Sequence, residues 1–427
     1  MIQTIKSAKS FHGTVTVPGD KSISHRALMF GAIARGETII TNLAPGKDVQ
    51  STRHCIEQLG IKVQTDKKNL HVHGAGLKRF RPSDKALSAG NSGTTMRLIS
   101  GILAAQPFTS TLTGDASLSR RPMDRIIKPL SQMGANIQAG PGGTAPLKIL
   151  GKKLHPIHYH SPVASAQVKS CVLLAGLHTE GVTSVTEPAL SRDHSERLLQ
   201  AFGVPITRND LTVAVEGPAR LQGISILVPG DISAAAFWMV AACLLPNSSI
   251  IIQDVGINPT RTGILSSLEQ MGCEININNE RVTGGEPVAD LMIRSSRLRG
   301  SVIEGNMIPQ LVDEIPILAV AALFADGVTH IKDAKELRVK ETDRIAALEK
   351  NIRLMGGEIE TFNDGFTIKG PQKLKGAVLN SFGDHRIAMA FAVAGLFADG
   401  ETVIQNAECA EISYPGFYHD LRMLSYV

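Results

Sequence analysis

HRALMFGAIARGETIITN, from His25 to Asn42, decides the architecture, because five later stretches repeat its plan. They are TMRLISGILAAQPFTSTLTG (Thr95–Gly114), VKSCVLLAGLHTEGVTSVTE (Val168–Glu187), AAFWMVAACLLPNSSIIIQD (Ala235–Asp254), IPILAVAALFADGVTHIKD (Ile315–Asp333) and HRIAMAFAVAGLFADGETVIQN (His385–Asn406). Each is a short Ala-rich helix, a Gly or Pro turn, then a β-branched strand. The helices are apolar almost all round, which marks them as buried inside a domain.

Between these copies runs a second signature: IEQLG ending at Gly60, LSQMG at Gly134, LQAFG at Gly203, LEQMG at Gly272 and IRLMG at Gly356. A glycine just past an amphipathic run is the expected C-terminal cap of a more exposed helix. Alternating hairpins follow, as in IKVQTDKKNLHVHG (Ile61–Gly74), VPITRNDLTVAVEG (Val204–Gly217) and GEIETFNDGFTIKG (Gly357–Gly370). The period of about 70 residues defines a supersecondary unit that recurs six times.

A chain of 427 residues exceeds one ordinary core. Six units over two domains predict an α/β fold with three units per domain. Pro229-Gly230-Asp231 opens the fourth unit, so the predicted domains are 20–228 and 1–19 plus 229–427. The leftover strand, Thr14 to Val17, is expected to complete the last unit of the C-terminal domain.

A hydrophobic fraction of 43% with 19% charged residues describes a globular protein. The start, MIQTIKSAKSFHG, lacks the apolar stretch of a signal peptide, and IPILAVAALFA is too short to span a bilayer. The reading is therefore cytoplasmic, with no membrane partner. Five scattered cysteines without a CxxC pair argue against a disulfide framework or a zinc site. HPIHYH (His155, His158, His160) and HVH (His71, His73) look metal-like, but alternation along a strand gives the same pattern; the expectation is no metal and no cofactor. The net charge of +5 favours anionic partners. Nucleic acid is not expected, since four Tyr, one Trp and the lack of a long basic run offer little for stacking. GDKS lacks the spacing of a P-loop.

The N-terminal edges of the buried helices carry the chemistry. PGDKSISHR brings Lys21, Ser22 and Arg26; GNSGTTMR brings Gly93, Thr94 and Arg97; SPVASAQVKS brings Ser165, Ala166, Gln167 and Lys169. The fifth helix starts near Asp313 and the sixth with His385 and Arg386. Unpaired N–H groups and the helix dipole make such edges anion sites. Ser, Asp and Asn there also serve as simple N-caps, which accounts for Asp231 and Ser92 but not for Lys21, Arg26, Asp313, His385 and Arg386 at one point of different repeats. SLSRRPMDR (with Arg121) and ELRVKETDR (with Lys340, Glu341 and Arg344) recur at matching points of the two halves. Each is either a solvated charged turn or an arginine clamp for phosphate or carboxylate.

Together the strings VPGDKSISHR, GNSGTTMRL, RRPMDR, ASAQVKS, PGDISAAAF, NPTRTG, RVKETDR and GDHRIAM resemble the 5-enolpyruvylshikimate-3-phosphate synthases, from Pro18 to Pro415. The resemblance implies an inside-out α/β barrel fold, each of two domains holding three βαβαββ units around buried helices, with the site in the cleft between them and closure on substrate. It implies a monomer that joins phosphoenolpyruvate to shikimate 3-phosphate and that glyphosate inhibits. By the same resemblance, Lys21, Ser22, Arg26, Ser165, Ala166, Gln167, Arg192, Asp313 and Lys340 would hold shikimate 3-phosphate. Lys21, Gly93, Thr94, Arg121, Gln167, Glu341, Arg344, His385 and Arg386 would hold phosphoenolpyruvate. Asp313 and Glu341 would move protons, with Lys21 stabilising charge; which carboxylate serves which step stays open. One departure stands out: many members have Lys where this chain has Ile412. Two rivals share the architecture. The transferase acting on UDP-N-acetylglucosamine starts with KN in place of Lys21-Ser22 and usually carries a Cys where this chain reads GDASLSRRP; a non-catalytic binding protein would not need Asp313, Glu341 and Lys21 together.

Overall fold

The computed structural model describes residues 1–67 and 69–426 and divides into two compact units. The N-terminal unit comprises Gly19–Pro229 and the hairpin tip Val282–Glu286. The C-terminal unit comprises Met1–Pro18, Gly230–Arg281 and Pro287 onward.

In the N-terminal unit, α1 (Lys21–Ile33), α3 (Gly93–Leu103) and α5 (Ala166–Gly176) are the buried helices. The more polar α2 (Lys47–Gln58), α4 (Asp124–Gln132) and α6 (His194–Ala201) alternate with them. In the C-terminal unit the buried set is α7 (Ile232–Leu244), α10 (Ile315–Phe324) and α12 (His385–Gly395). The rest are α8 (Gly263–Gln270), a single turn α9 (Ile308–Leu311), α11 (Arg344–Leu354) and the last, α13 (Phe417–Leu424). Apolar residues all round leave these central helices no polar face to turn outward, so sheets cover them. Among the described residues no single helix is long and apolar enough to cross a membrane.

Gly60, Gly134, Gly203, Gly272 and Gly356 all take positive φ, between 76° and 98°, one residue past the cap of α2, α4, α6, α8 and α11. Left-handed backbone there ends each helix and lets the chain turn into a hairpin. Gly101 answers a different need: a Cβ on it would lie 2.2 Å from the Cys171 carbonyl oxygen, so only glycine lets α3 press onto α5.

Each unit has three sheets, and five of the six share one plan, an antiparallel hairpin beside a strand that joins a parallel edge strand; in the sixth the single strand Ile2–Ile5 stands where the hairpin would be. Leu87–Ser88 runs through α3 to pair in parallel with Thr109–Thr113, and His158–His160 runs through α5 to pair with Gly181–Thr186. The first repeat of each unit breaks this sequence reciprocally. Ser225–Leu227, which leads into α7, pairs in parallel with Arg35–Thr41 of the N-terminal unit. Ser10–Thr16, which leads into α1, pairs in parallel with Ser249–Gly256 of the C-terminal unit. The expectation that this strand completes the last repeat is therefore corrected: it serves the fourth repeat, and Ile2–Ile5 joins the last one, antiparallel to Thr402–Gln405. The reason is geometric. With Ser225–Leu227 taken by the first sheet, the parallel position beside Ser249–Gly256 is left to the strand that enters α1.

The C-terminal core centres on Trp238, stacked on Phe417 with ring centroids 4.8 Å apart and on Phe11 at 5.9 Å. Its Nε1 donates to the Tyr414 hydroxyl at 3.2 Å, which itself donates to Asp420. Tyr414 is thus a core residue, and Ile412 packs against the same core. The histidine alternation resolves as strand pairing: His71 and His73 lie on Asn69–Ala75 and bond Glu37 and Gln64.

Candidate active site

The caps come first, because they set which polar groups at the helix starts are already occupied. Asp20, Ser92, Ser165, Asp231, Asp343 and Asp384 each accept a backbone N–H of the helix they begin. Capping accounts for the Ser165 oxygen, while its hydroxyl proton is left for another acceptor.

In the N-terminal unit, Arg26 is 3% exposed and spends its guanidinium on neutral oxygens. Nε donates to Ser195 Oγ at 2.7 Å, Nη1 to the Ser22 carbonyl at 2.8 Å and Nη2 to Ser170 Oγ at 2.9 Å. Burial lowers its pKa to about 10; Glu196 and Asp20 oppose that fall, and the nearby charge of Arg192 adds to it. Arg192 thus places a second cation near Arg26, in a region that also holds the carboxylates of Glu196, Asp20 and Glu286. Lys21 pairs with Asp48 Oδ2 at 2.6 Å, a partner on α2 that the sequence reading passed over.

The starts of α3 and α5 are tied by side chains. Arg97 Nη1 donates to Gln167 Oε1 at 2.7 Å, and Gln167 Nε2 donates to Thr94 Oγ1 at 3.0 Å. Arg121 reaches the same edge through Asn91 Oδ1 at 2.9 Å, and Asn91 in turn donates to Asp115. Gly93 and Ala166 are the first residues of α3 and α5. Lys169 does not belong with them: it is buried between Glu187 and Glu196, 2.8 Å from each, as an internal ion cluster. At the far end of these helices Arg35, Lys78, Arg79 and Arg220 line a cavity of about 610 Å³. Cations there lie by the C-terminal ends of α1 and α5, where they offset the helix dipoles.

In the C-terminal unit one guanidinium organises the site. Arg344, 1% exposed, donates Nε to Asp384 Oδ2 at 2.8 Å and Nη2 to Glu341 Oε2 at 2.8 Å, and its Nη1 lies 3.4 Å from Asp313 Oδ1. Lys340 Nζ lies 3.5 Å from the same Asp313 oxygen and 3.0 Å from Glu336. Burial by itself would lower the Arg344 pKa; Asp384, Glu341 and Asp313 outweigh it and hold the group above its usual value. Asp313, Glu341, Lys340 and Arg344 are thus brought together. His385 and Arg386 open α12 beside the Asp384 cap. The Arg386 guanidinium, nearly buried, has no ion pair or hydrogen bond among the described residues.

Asp384 and Asp48 are the functional neighbours that motif reading left without a task. The signal for Asp384 was its place in GDHR; for Asp48 it was only an acid in the first turn of α2.

With this geometry in place, comparison with known proteins is direct. The family model described as EPSP synthase (3-phosphoshikimate 1-carboxyvinyltransferase) matches residues 5–421. A 3-phosphoshikimate 1-carboxyvinyltransferase of Synechocystis sp. is 57% identical over 414 residues, covering 96% of this chain and 93% of that protein. The solved EPSP synthase of Acinetobacter baumannii is 44% identical, with a TM-score of 0.90 over 100% of this chain and 98% of the other. The enolpyruvyl transferase NikO of Streptomyces tendae, 18% identical with a TM-score of 0.82 over 99% of this chain and 97% of the other, shares the fold. The chain belongs to the EPSP synthase (3-phosphoshikimate 1-carboxyvinyltransferase) family.

Proposed function

We propose that the chain transfers the enolpyruvyl group of phosphoenolpyruvate to the 5-hydroxyl of shikimate 3-phosphate and releases phosphate. The observation that carries this reading is that Asp313 and Glu341 sit on two nitrogens of one guanidinium, Arg344. Addition followed by elimination needs two proton transfers close together, one at the attacking hydroxyl and one at C3 of the enol. Two carboxylates fixed by one rigid planar fork meet that demand.

In this reading Asp313 takes the hydroxyl proton as oxygen attacks C2, and Glu341, entering the step as its neutral acid, delivers its proton to C3. The tetrahedral intermediate then loses phosphate, and the C3 proton returns to a carboxylate. Lys21 offsets charge at the departing phosphate. Arg26, Arg192, Ser22, Ser165, Ala166, Gln167 and Lys340 hold shikimate 3-phosphate. Gly93, Thr94, Arg121, His385 and Arg386 hold phosphoenolpyruvate, with Lys21 and Gln167 serving both. Arg344 is assigned a supporting part, since its donors already meet three carboxylates. Arg386 supplies a cation that no carboxylate holds among the described residues.

The test is phosphate release by the purified chain. Release that requires both phosphoenolpyruvate and shikimate 3-phosphate is expected. Release with UDP-N-acetylglucosamine as acceptor, or none with either acceptor, overturns the reading.

A further inference from the structure

Asp313 has a neighbour whose side chain points the other way. Glu314 caps α10, is fully buried, and directs Oε1 at two groups from other helices. One is the hydroxyl of Ser233, the second residue of α7. The other is Arg261 Nη2, 3.0 Å away, from the loop entering α8. Arg261 Nη2 also donates to Ser233 Oγ at 2.6 Å, and Nη1 reaches the Gln310 carbonyl at 3.3 Å. The loop that presents Arg261 is itself fixed, because Asn258 Oδ1 accepts both the N–H and the hydroxyl of Thr260.

The arrangement repeats one unit later. Arg344, at the start of α11, pairs with Asp384, the cap of α12, as Arg261, just before α8, pairs with Glu314, the cap of α10. Both pairs adjoin Asp313. Arg344 and Lys340 touch its carboxylate, whereas Glu314 anchors the main chain one residue on.

We propose that the buried Arg261–Glu314–Ser233 cluster positions Asp313, fixing the backbone that carries it while Arg344 and Lys340 hold its carboxylate. A buried ion pair is a poor source of net stability, because desolvating both charges offsets their attraction. What it supplies is direction: three helix starts are tied to one carboxylate oxygen, which restrains the peptide that follows Asp313. General acid–base chemistry is sensitive to such placement, since a misplacement of about 1 Å can cost on the order of 100-fold in rate. The proposal rests on the reading that Asp313 moves a proton.

The test replaces both charges at once, Arg261→Met with Glu314→Met, in the full-length chain. Apolar replacement of a buried pair preserves stability in favourable cases. Turnover at saturating phosphoenolpyruvate and shikimate 3-phosphate is expected to fall roughly 10- to 100-fold, with both Michaelis constants within about threefold and the melting temperature nearly unchanged. A second measurement places the effect: in an Asp313→Asn background the same pair of changes should cost nothing further, because a positioning group acts through the residue it positions. A folded double variant with parental turnover overturns the proposal, and so does a loss that adds fully to that of Asp313→Asn. If the double variant does not fold, Ser233→Ala decides, with a few-fold fall in turnover expected and a parental value overturning the proposal. Parental turnover in Asp313→Asn alone defeats the proton-transfer reading and this proposal with it. A collapse in Asp313→Asn without any loss in the cluster variants defeats this proposal alone.

Discussion

Arg26 and Arg344 are both buried arginines near the start of a helix, one in each unit, and their surroundings are opposite. Arg26 is held by two serine hydroxyls and a carbonyl, Arg344 by three carboxylates. Burial depresses the first, to about 10, whereas the carboxylates raise the second. A buried cation among neutral oxygens has charge to spare for an incoming anion. Arg344, divided among three carboxylates, serves to place them. On the proposed function, the N-terminal unit would receive phosphate and the C-terminal unit would move protons.

The sharpest way to break this division is to remove the proposed proton carriers. Asp313→Ala and Glu341→Ala should each lower turnover by about 10²- to 10⁴-fold, the usual worth of a placed acid or base. Both should leave the fold intact, since Arg344 keeps its bond to Asp384 in either variant. Steady-state turnover with circular dichroism checks both halves; near-parental turnover in either variant removes that residue from the chemistry.

Stability should divide the two arginines next. Arg344→Met strands the buried Asp384 carboxylate and should cost about 3–5 kcal/mol. Arg26→Met leaves only hydroxyls and a carbonyl short of a donor, at about 1–3 kcal/mol. Urea denaturation measures both, and equal losses would erase the contrast. Binding should divide them in the other direction. Arg26→Ala should raise the Michaelis constant for shikimate 3-phosphate by about 10- to 100-fold, from a lost charge-assisted bond of roughly 1.5–3 kcal/mol. The constant for phosphoenolpyruvate should move far less; equal shifts contradict the assignment.

Acid should also tell the units apart. His178 and His25, both in the N-terminal unit, are buried and held below the ordinary histidine value, His178 at about 4 through desolvation and then the charge of Lys78. Below the unfolded value of about 6.5 the unfolded chain takes up protons that the folded one refuses. Stability is therefore full above that pH and falls as pH drops toward about 4. From pH 6.5 to 5 the His178 share is roughly 2 kcal/mol. His178→Leu should lose that dependence. Trp238, the single tryptophan, reports on the C-terminal unit and should change less with acid than the far-ultraviolet signal.

What the sequence made legible follows from range. The helix–strand copies and the C-terminal glycines are local signals, set by apolar periodicity and by one left-handed residue, and Gly60 to Gly356 all take that conformation. The exchange of Ser10–Thr16 and Ser225–Leu227 was not legible, because parallel pairing depends on which edge is vacant and not on the strand's own residues. The site divides the same way. Motifs located Arg26, Asp313, Glu341 and Arg344, but their contrasting partners come from distant repeats: Ser195 for Arg26, Asp384 for Arg344, Glu314 for Arg261. A serine or glutamate at those points carries no mark of what it will face.

Gly93 gives the smallest expected effect and refines a simpler expectation. The resemblance to the family implies that a methyl added there troubles only a ligand longer than phosphoenolpyruvate, such as glyphosate. The structure aims that methyl elsewhere: an added Cβ would lie 2.8 Å from Arg97 Nη1 and 3.8 Å from Arg121 Nη1. The first is too close, but it is the far end of a flexible side chain, so Arg97 yields and the fold survives. In yielding it loosens the bond to Gln167, which both substrates are proposed to touch. Gly93→Ala should therefore raise the Michaelis constant for phosphoenolpyruvate a few-fold, and the glyphosate inhibition constant by more, since the longer anion meets both the methyl and the displaced guanidinium. Arg97→Gln separates the two contributions. It removes the charge without adding a methyl, so it should reproduce the change in the Michaelis constant and only part of the change in inhibition. If Gly93→Ala leaves the Michaelis constant untouched while inhibition weakens, the methyl acts on the inhibitor alone and Arg97 has no share in the effect.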